Sequence, residues 1–349
     1  QNLPFIHDVS WVMRGSGKQA KYILGSFLSG TSVLRKTYEN SRMVQIVGER
    51  LSKGDIDLVH IEPFYVYGGI PHTDIPLVVA EHNIEYDVYT RYGEEDRGMV
   101  SKIKLWDANK VKRDEEAVWK QAAGIIAVSD EDAKRIRTAE PKTPVTVVPN
   151  GVDTGWFSYS FHPVPKKPRF LFVGNFLWHP NRDALSYTLE TVWPKIRVAF
   201  PGAELSIVGH NPPIGLQEKH IPGVVWKDRV DDIRDAMKTS DVLLAPMRIA
   251  GGSKYKILES MAAGLPVLTT PEGISGLGDN ARGCVWIAQS SDEYCGLCKD
   301  MIDHSKQTEA TCTAARTFVE KHYDWDTLAG IQDRVWRSVY EKHGSKENH

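Results

Sequence analysis

The chain is poor in what would commit it to a metal, a membrane or a nucleic acid. Its 349 residues hold four cysteines, Cys284, Cys295, Cys298 and Cys312. Only Cys295 and Cys298 have ligand-like spacing, with no second close pair and no histidine at finger spacing. Reduced structural thiols therefore outweigh a metal or redox role. The 43 lysines and arginines nearly cancel the 45 aspartates and glutamates, for a formal charge of -2. That excludes a general attraction to nucleic acid and leaves anion binding to local clusters. No apolar run approaches the ~20 residues of a membrane span, and no N-terminal segment has the basic-then-apolar build of a secretory signal. The expectation is a cytoplasmic chain with no metal, no nucleic-acid partner and at most peripheral membrane contact. "MRGSGKQA" (13–20) lacks the spacing of a P-loop and follows no clear strand, so it reads as a loop. The chain opens on Gln1 rather than Met, as a processed or trimmed chain would.

What is present is a recurring unit, a short apolar run followed by a helical pattern. The runs are "DLVHIE" (57–62), "PLVVAE" (76–81), "GIIAVS" (124–129), "VTVVP" (145–149), "RFLFVG" (169–174), "ELSIVG" (204–209), "DVLLAP" (241–246) and "LPVLTT" (265–270). They are nearly continuous in Val, Ile and Leu rather than alternating, as strands covered by helices on both faces must be. Helical patterns fall between them, at 98–122, 130–138, 181–199 and 254–263. The alternation predicts α/β architecture with parallel, doubly wound sheets, and so many strands exceed one sheet. The turn-rich, proline-rich stretch "VVPNGVDTGWFSYSFHPVPKKPRF" marks the boundary. Two open sheets facing across a cleft bind ligands at the carboxyl ends of their strands.

The densest chemistry follows such an end. In "RIAGGSKYKILESMAAGLPVLTT" (248–270), Gly251 and Gly252 permit close backbone approach to a ligand. Ser253 is a fair N-cap for a helix from Lys254. A helix N-terminus carries partial positive charge and free N–H groups, and Arg248, Lys254 and Lys256 add full charges there. Lys256 and Glu259 alone would be a solvated i,i+3 pair worth a few tenths of a kcal/mol. Beside the glycines and the strand end they read as a diphosphate cradle with a ribose clamp.

"APMRIAGGSKYKILESMAAGLPVLTTPEGISG" resembles the donor-binding signature of the family 4 glycosyltransferases of GT-B fold, the retaining group 1 transferases. "VSDEDAKRI", "VVPNGVDT" and "FLFVGNFLWHPNRDAL" are similar to that family's other blocks, in the same order. The likeness covers roughly residue 55 to the C-terminus. It implies two Rossmann-like domains: an acceptor-side domain over 1–155, a donor domain over 156–324, and a C-terminal helix over 325–349 crossing back to the first. By the same resemblance Glu259 matches the second Glu of a Glu-x7-Glu motif that grips the ribose hydroxyls. Lys254 and Lys256 match the positions that neutralise the diphosphate, and Arg248 fits the same job. Gly174 and Asn175 match the turn after the donor domain's first strand, and Gly273 to Gly276 a later small-residue loop. The motif's first Glu falls at Gly251, which leaves the sugar open. Another departure is at the front, where only about 55 residues, mostly helix and loop, precede "DLVHIE". The opening strands of the acceptor-side domain are expected to be missing.

Past the strand "PLVVAE" stand Glu81, His82, Asn83 and Glu85, a polar crowd suited to a cleft wall. The resemblance places a His here against the donor sugar or in support of the transition state. The bland reading of His82 is a capping histidine, and carboxylates at helix starts are routine. His60, Glu62 and Tyr65 follow another strand and are weaker acceptor-side candidates. Trp178, Trp193 and Trp226 read as core or rim packing. The implied activity is metal-independent, retaining transfer of a sugar from a nucleoside diphosphate, UDP- or GDP-linked, to a hydroxyl acceptor. That acceptor would be a sugar, a lipid-linked sugar or a small molecule, and His82, Lys256 and Arg248 would act in catalysis. Two rivals stay open: a sugar-nucleotide 2-epimerase, and a weak or inactive nucleotide-binding subunit.

Overall fold

The structure, a computed structural model, describes residues 8–13, 20–227, 230–249 and 254–344. It divides into two compact units, Gln1–Pro149 with Gly330–His349, and Asn150–Ala329. The division falls at Pro149 because the next residues are already pinned to the second unit. Val152 N–H donates to the Tyr323 carbonyl (2.8 Å), and Thr154 N–H donates to the Asp324 carboxylate (3.2 Å).

The first unit holds a parallel sheet of four strands in sequence order: β1 (Val59–Ile61), β2 (Leu77–Glu81), β3 (Gly124–Ala127) and β4 (Val145–Val147). Every residue of β2 and β3 is buried, which is why these runs carry no polar alternation. The helix Gly98–Trp119 supplies Val111, Val118 and Trp119 to the core, and Asp130–Ala139 supplies Ala133 and Ile136. The latter helix starts where a side chain can cap it: Ser129 Oγ accepts from Asp132 N–H (3.1 Å), and three acids fill its first turn. Val335 and Val339 of the C-terminal helix Trp325–Gly344 pack within 4 Å of where a Cβ on Gly124 of β3 would stand. Leu328, Ile331, Val335, Val339 and Tyr340 form an apolar stripe along that helix. Leu328 and Val339 are buried, whereas Tyr340 is exposed. Three helices precede β1 among the described residues, with no strand. Most of "MRGSGKQA" lies outside the described residues.

The second unit is a six-stranded parallel sheet built from β5 (Arg169–Val173), β6 (Glu204–Val208), β7 (Val224–Lys227), β8 (Val242–Ala245), β9 (Val267–Thr269) and β10 (Trp286–Ile287). Their order is β10-β9-β8-β5-β6-β7. The chain steps outward from β5 through β6 to β7, then returns to the other side of β5 for β8. Connections therefore leave β5 and β8 in opposite directions, and their carboxyl ends border a crevice. The eight apolar runs are all strands. The two strands without such a run, β7 and β10, lie at the sheet edges, where partial exposure breaks a continuous apolar pattern. The helical stretch 181–199 spans His179–Tyr187 and Trp193–Ala199, joined by a π turn (Thr188–Val192) just ahead of Pro194. Pro194 brings no N–H to the ladder. All four cysteines are free thiols, and Cys284, Cys298 and Cys312 are buried.

Candidate functional site

The site grows from the crevice above β5 and β8. The helix Tyr255–Ala263 buries Ile257, Leu258, Met261 and Ala262 beneath it, at about 1.5–3 kcal/mol for each large apolar side chain. It ends at Gly264, whose φ of +81° puts it in the left-handed conformation that terminates helices. The residue before its first turn is Lys254, with no side-chain cap. Ser253, expected as the cap, lies outside the described residues with Gly251 and Gly252.

A cavity of about 480 Å³ opens above this helix. Gly174 and Asn175 after β5, Gly209 and His210 after β6, Lys254, Lys256, Glu259 and Gly273 all line it. Gly209 has φ +156°, and a Cβ there would stand 1.7 Å from the Gly174 carbonyl oxygen. Only glycine lets β5 and β6 end so close together. At Gly273 a Cβ would meet Thr269 Oγ1 at 2.0 Å, so that loop too runs against its support.

Lys256 projects into this wall. Its Nζ donates to Asn181 Oδ1 (2.7 Å), while Asn181 Nδ2 donates to the Asn175 carbonyl (2.9 Å). Asn181 thus ties the lysine to the glycine turn. Burial first, and then the Lys254 ammonium, push Lys256 down to about 8, against an opposing pull from Glu259. Lys254 donates to the Glu272 carbonyl (3.1 Å), and burial lowers its pKa as well. Burial raises the Glu259 carboxyl above its ordinary range, with Lys256 opposing. Two cations and a carboxylate have thus given up water beside one concavity, a marker of binding sites. Arg248 stands apart. Its guanidinium forks onto Asp183 (Nε to Oδ2, 3.0 Å) and lies 4.7 Å over the Tyr187 ring, and it is not among the described residues lining the cavity.

In the first unit, His82, Asn83 and Glu85 follow β2. His82 is half exposed and pairs with Glu62 (Nε2 to Oε2, 3.5 Å), which raises its pKa. Burial raises the Glu85 carboxyl, and Asn83 and His82 oppose the rise. Glu81 does not stand with them, a correction to its expected place on the sugar or acceptor side. It is 1% exposed, accepts from Trp119 Nε1 (2.8 Å) and the Phe64 N–H (3.4 Å), and burial lifts it to about 8. Glu81 is the last residue of β2, a strand buried on both faces, whereas His82 is the first residue beyond it. Glu115, beside it, accepts from the Glu85 and Tyr86 N–H groups (2.9 and 3.1 Å) and caps the helix that follows His82.

Sequence reasoning did not single out Asn181, Gly209 or His210. The signal for the glycine was available, since "ELSIVG" ends a strand as "RFLFVG" does. Asn181 had none, because its role depends on a lysine 75 residues away. Trp178 borders the cavity, Trp193 is buried and Trp226 packs at the edge of the core.

Residues 167–303 match the profile described as "Glycosyl transferases group 1", and residues 7–156 match "Glycosyltransferase Family 4". No curated protein sequence matches significantly. Among solved structures, the chain superposes on sucrose-phosphate synthase from Thermosynechococcus elongatus at 16% identity and TM-score 0.63. That match covers 89% of this chain and 79% of the other. WaaG, a glycosyltransferase involved in lipopolysaccharide biosynthesis, matches at 17% identity and TM-score 0.57, over 82% and 80%. HepE from Anabaena, in complex with UDP and glucose, matches at 15% identity and TM-score 0.55, over 86% and 83%. At such identities these likenesses speak for the fold. No described helix is long and apolar enough to cross a membrane.

Proposed function

Since this chain belongs to the group 1, family 4 glycosyltransferases and has their GT-B fold, we propose that its 480 Å³ cavity receives the diphosphate and ribose of a nucleotide-sugar donor. The observation that carries this reading is Lys256. A cation held in a half-dry wall at the start of a helix, facing a glycine turn, is costly until an anion arrives. Glu259, one turn further along and on the same wall, takes the ribose hydroxyls, which a carboxylate accepts well.

Transfer then proceeds with retention and without a metal. The bond from the anomeric carbon to the diphosphate oxygen breaks, and the sugar passes through an oxocarbenium-like state. The acceptor hydroxyl oxygen bonds to that carbon on the face the diphosphate leaves, and the hydroxyl proton passes to a departing phosphate oxygen. Lys256 and Lys254 stabilise the charge that builds on the diphosphate. Arg248 joins them by exchanging Asp183 for phosphate. His82 acts on the transferred sugar, with Asn83 and Glu85 near it. The donor is UDP- or GDP-linked, the acceptor a hydroxyl of a sugar, a lipid-linked sugar or a small molecule, and the working compartment the cytoplasm. Thermal-shift screening against nucleoside mono- and diphosphates tests the reading. A UDP or GDP response well above that of UMP or GMP supports it, and no response to any diphosphate defeats it.

A further inference from the structure

The carboxyl ends of β1 and β2 carry a chain of polar contacts that the proposed reaction has not used. Trp336, on the C-terminal helix, donates its Nε1–H to His60 Nδ1 (2.9 Å), with the rings edge to face at 87°. An Nδ1 that accepts fixes the neutral imidazole as the tautomer protonated at Nε2. That Nε2–H then donates to Glu62 Oε1 (2.9 Å). The other oxygen of the same carboxylate faces His82 Nε2 at 3.5 Å. Four side chains from β1, the loop after it, the end of β2 and the last helix thus form one directed row.

We propose that Glu62 is a positioning residue for sugar transfer, held by Trp336 through His60 and in turn setting the proton and orientation of His82. The proposal rests on the reading that His82 acts on the transferred sugar. A lone surface histidine samples both tautomers and several rotamers. Here the carboxylate faces Nε2 and leaves Nδ1 as the nitrogen it does not face. Glu62 is suited to this because the hydrogen bond from His60, followed by that from His82, holds its carboxyl well below the ordinary carboxylate range. It stays ionised throughout the pH range of enzyme work. The charged groups acting on His82 are Glu62 and, more weakly, Glu85, and both favour its protonated form. Burial offsets part of that effect. The row also gives the last helix a chemical task beyond packing, since its indole is the first donor.

NMR titration of the histidine side chains in the unliganded chain, assigned with His60→Ala and His82→Ala, tests the row without any substrate. In the wild type, the neutral His60 imidazole is the Nε2–H tautomer. In Glu62→Gln, which keeps the shape and loses the charge, the pKa of His82 falls. In Trp336→Phe, which keeps a ring against His60 but removes the donor, His60 loses its single tautomer. A second arm follows turnover of whichever of UDP-glucose, UDP-N-acetylglucosamine or GDP-mannose the wild type consumes. Glu62→Gln slows it about 10- to 100-fold, as loss of an orienting partner does. The Glu62→Gln/His82→Ala double variant is no slower than His82→Ala alone. Unshifted titrations beside a slow His82→Ala overturn the row and leave the role of His82 standing. Wild-type turnover in His82→Ala overturns that role and the proposal with it, whatever the titrations show.

Discussion

Raising the pH from 7.5 to 9.5 will loosen nucleoside diphosphate binding about 25-fold. An ordinary lysine titrates at 10.5, and Lys256 is pushed down to about 8. At 1.36 kcal/mol per pH unit, the unliganded protein carries a penalty of about 3 kcal/mol for keeping that ammonium charged in its partly dry wall. A bound diphosphate supplies the missing counter-charge and returns the lysine toward its ordinary value. Above pH 8 the free protein has lost the proton, so binding must recapture it. The factor 1 + 10^(pH − 8) then grows from about 1.3 at pH 7.5 to about 33 at pH 9.5. Phosphate groups, with a second pKa of about 6, stay ionised over this range and do not confound it. Calorimetry in two buffers of different ionisation enthalpy reads both quantities, the rise in Kd and a proton uptake approaching one per nucleotide. Lys256→Met lowers affinity at pH 7.5 and loses the slope through pH 8. It relieves the burial penalty, so its Tm is no lower than that of the wild type. A Kd for UDP or GDP that stays flat between pH 7.5 and 9.5 refutes the reasoning.

Other expectations are as direct. Glu259→Ala weakens nucleoside diphosphate binding by about tenfold or more while leaving inorganic pyrophosphate unaffected, in competition calorimetry, because only the ribose contact is lost. Lys256→Ala slows turnover of a consumed sugar nucleotide by about 10²- to 10³-fold, as loss of a charge-stabilising donor does in steady-state assays. Glu81, lifted to about 8 by burial, keeps its proton in the folded chain where the unfolded chain has lost it. Stability therefore falls as pH rises from about 4.5 to about 8. Glu81→Gln, which mimics the protonated form, flattens that fall in chemical denaturation. Gly209→Ala places a methyl on the Gly174 carbonyl oxygen and costs several kcal/mol, seen as a large drop in Tm of the second unit.

The central strands of the two sheets were legible because burial on both faces leaves no choice but continuous Val, Ile and Leu. Edge strands β7 and β10 escape that rule, and so they escape detection. The helix carrying Lys256 and Glu259 was legible too, since its apolar residues at 257, 258, 261 and 262 fix one face and leave 256 and 259 on another. What the chain could not announce is anything made by distant residues meeting. Asn181 is unremarkable until Lys256 lies 2.7 Å away, and Trp336 until His60 does. Glu81 shows the converse. It sits among polar neighbours in the sequence, but as the last residue of a strand buried on both faces it lies in the core, where Trp119 and the Phe64 N–H receive it.

The most direct measurement is a crystal structure of the chain with UDP or GDP, whichever binds. The account predicts phosphate oxygens within hydrogen-bonding distance of Lys256 Nζ, and ribose hydroxyls on the Glu259 carboxylate. A nucleotide seated anywhere else, with Lys256 still turned to Asn181 alone, would contradict it.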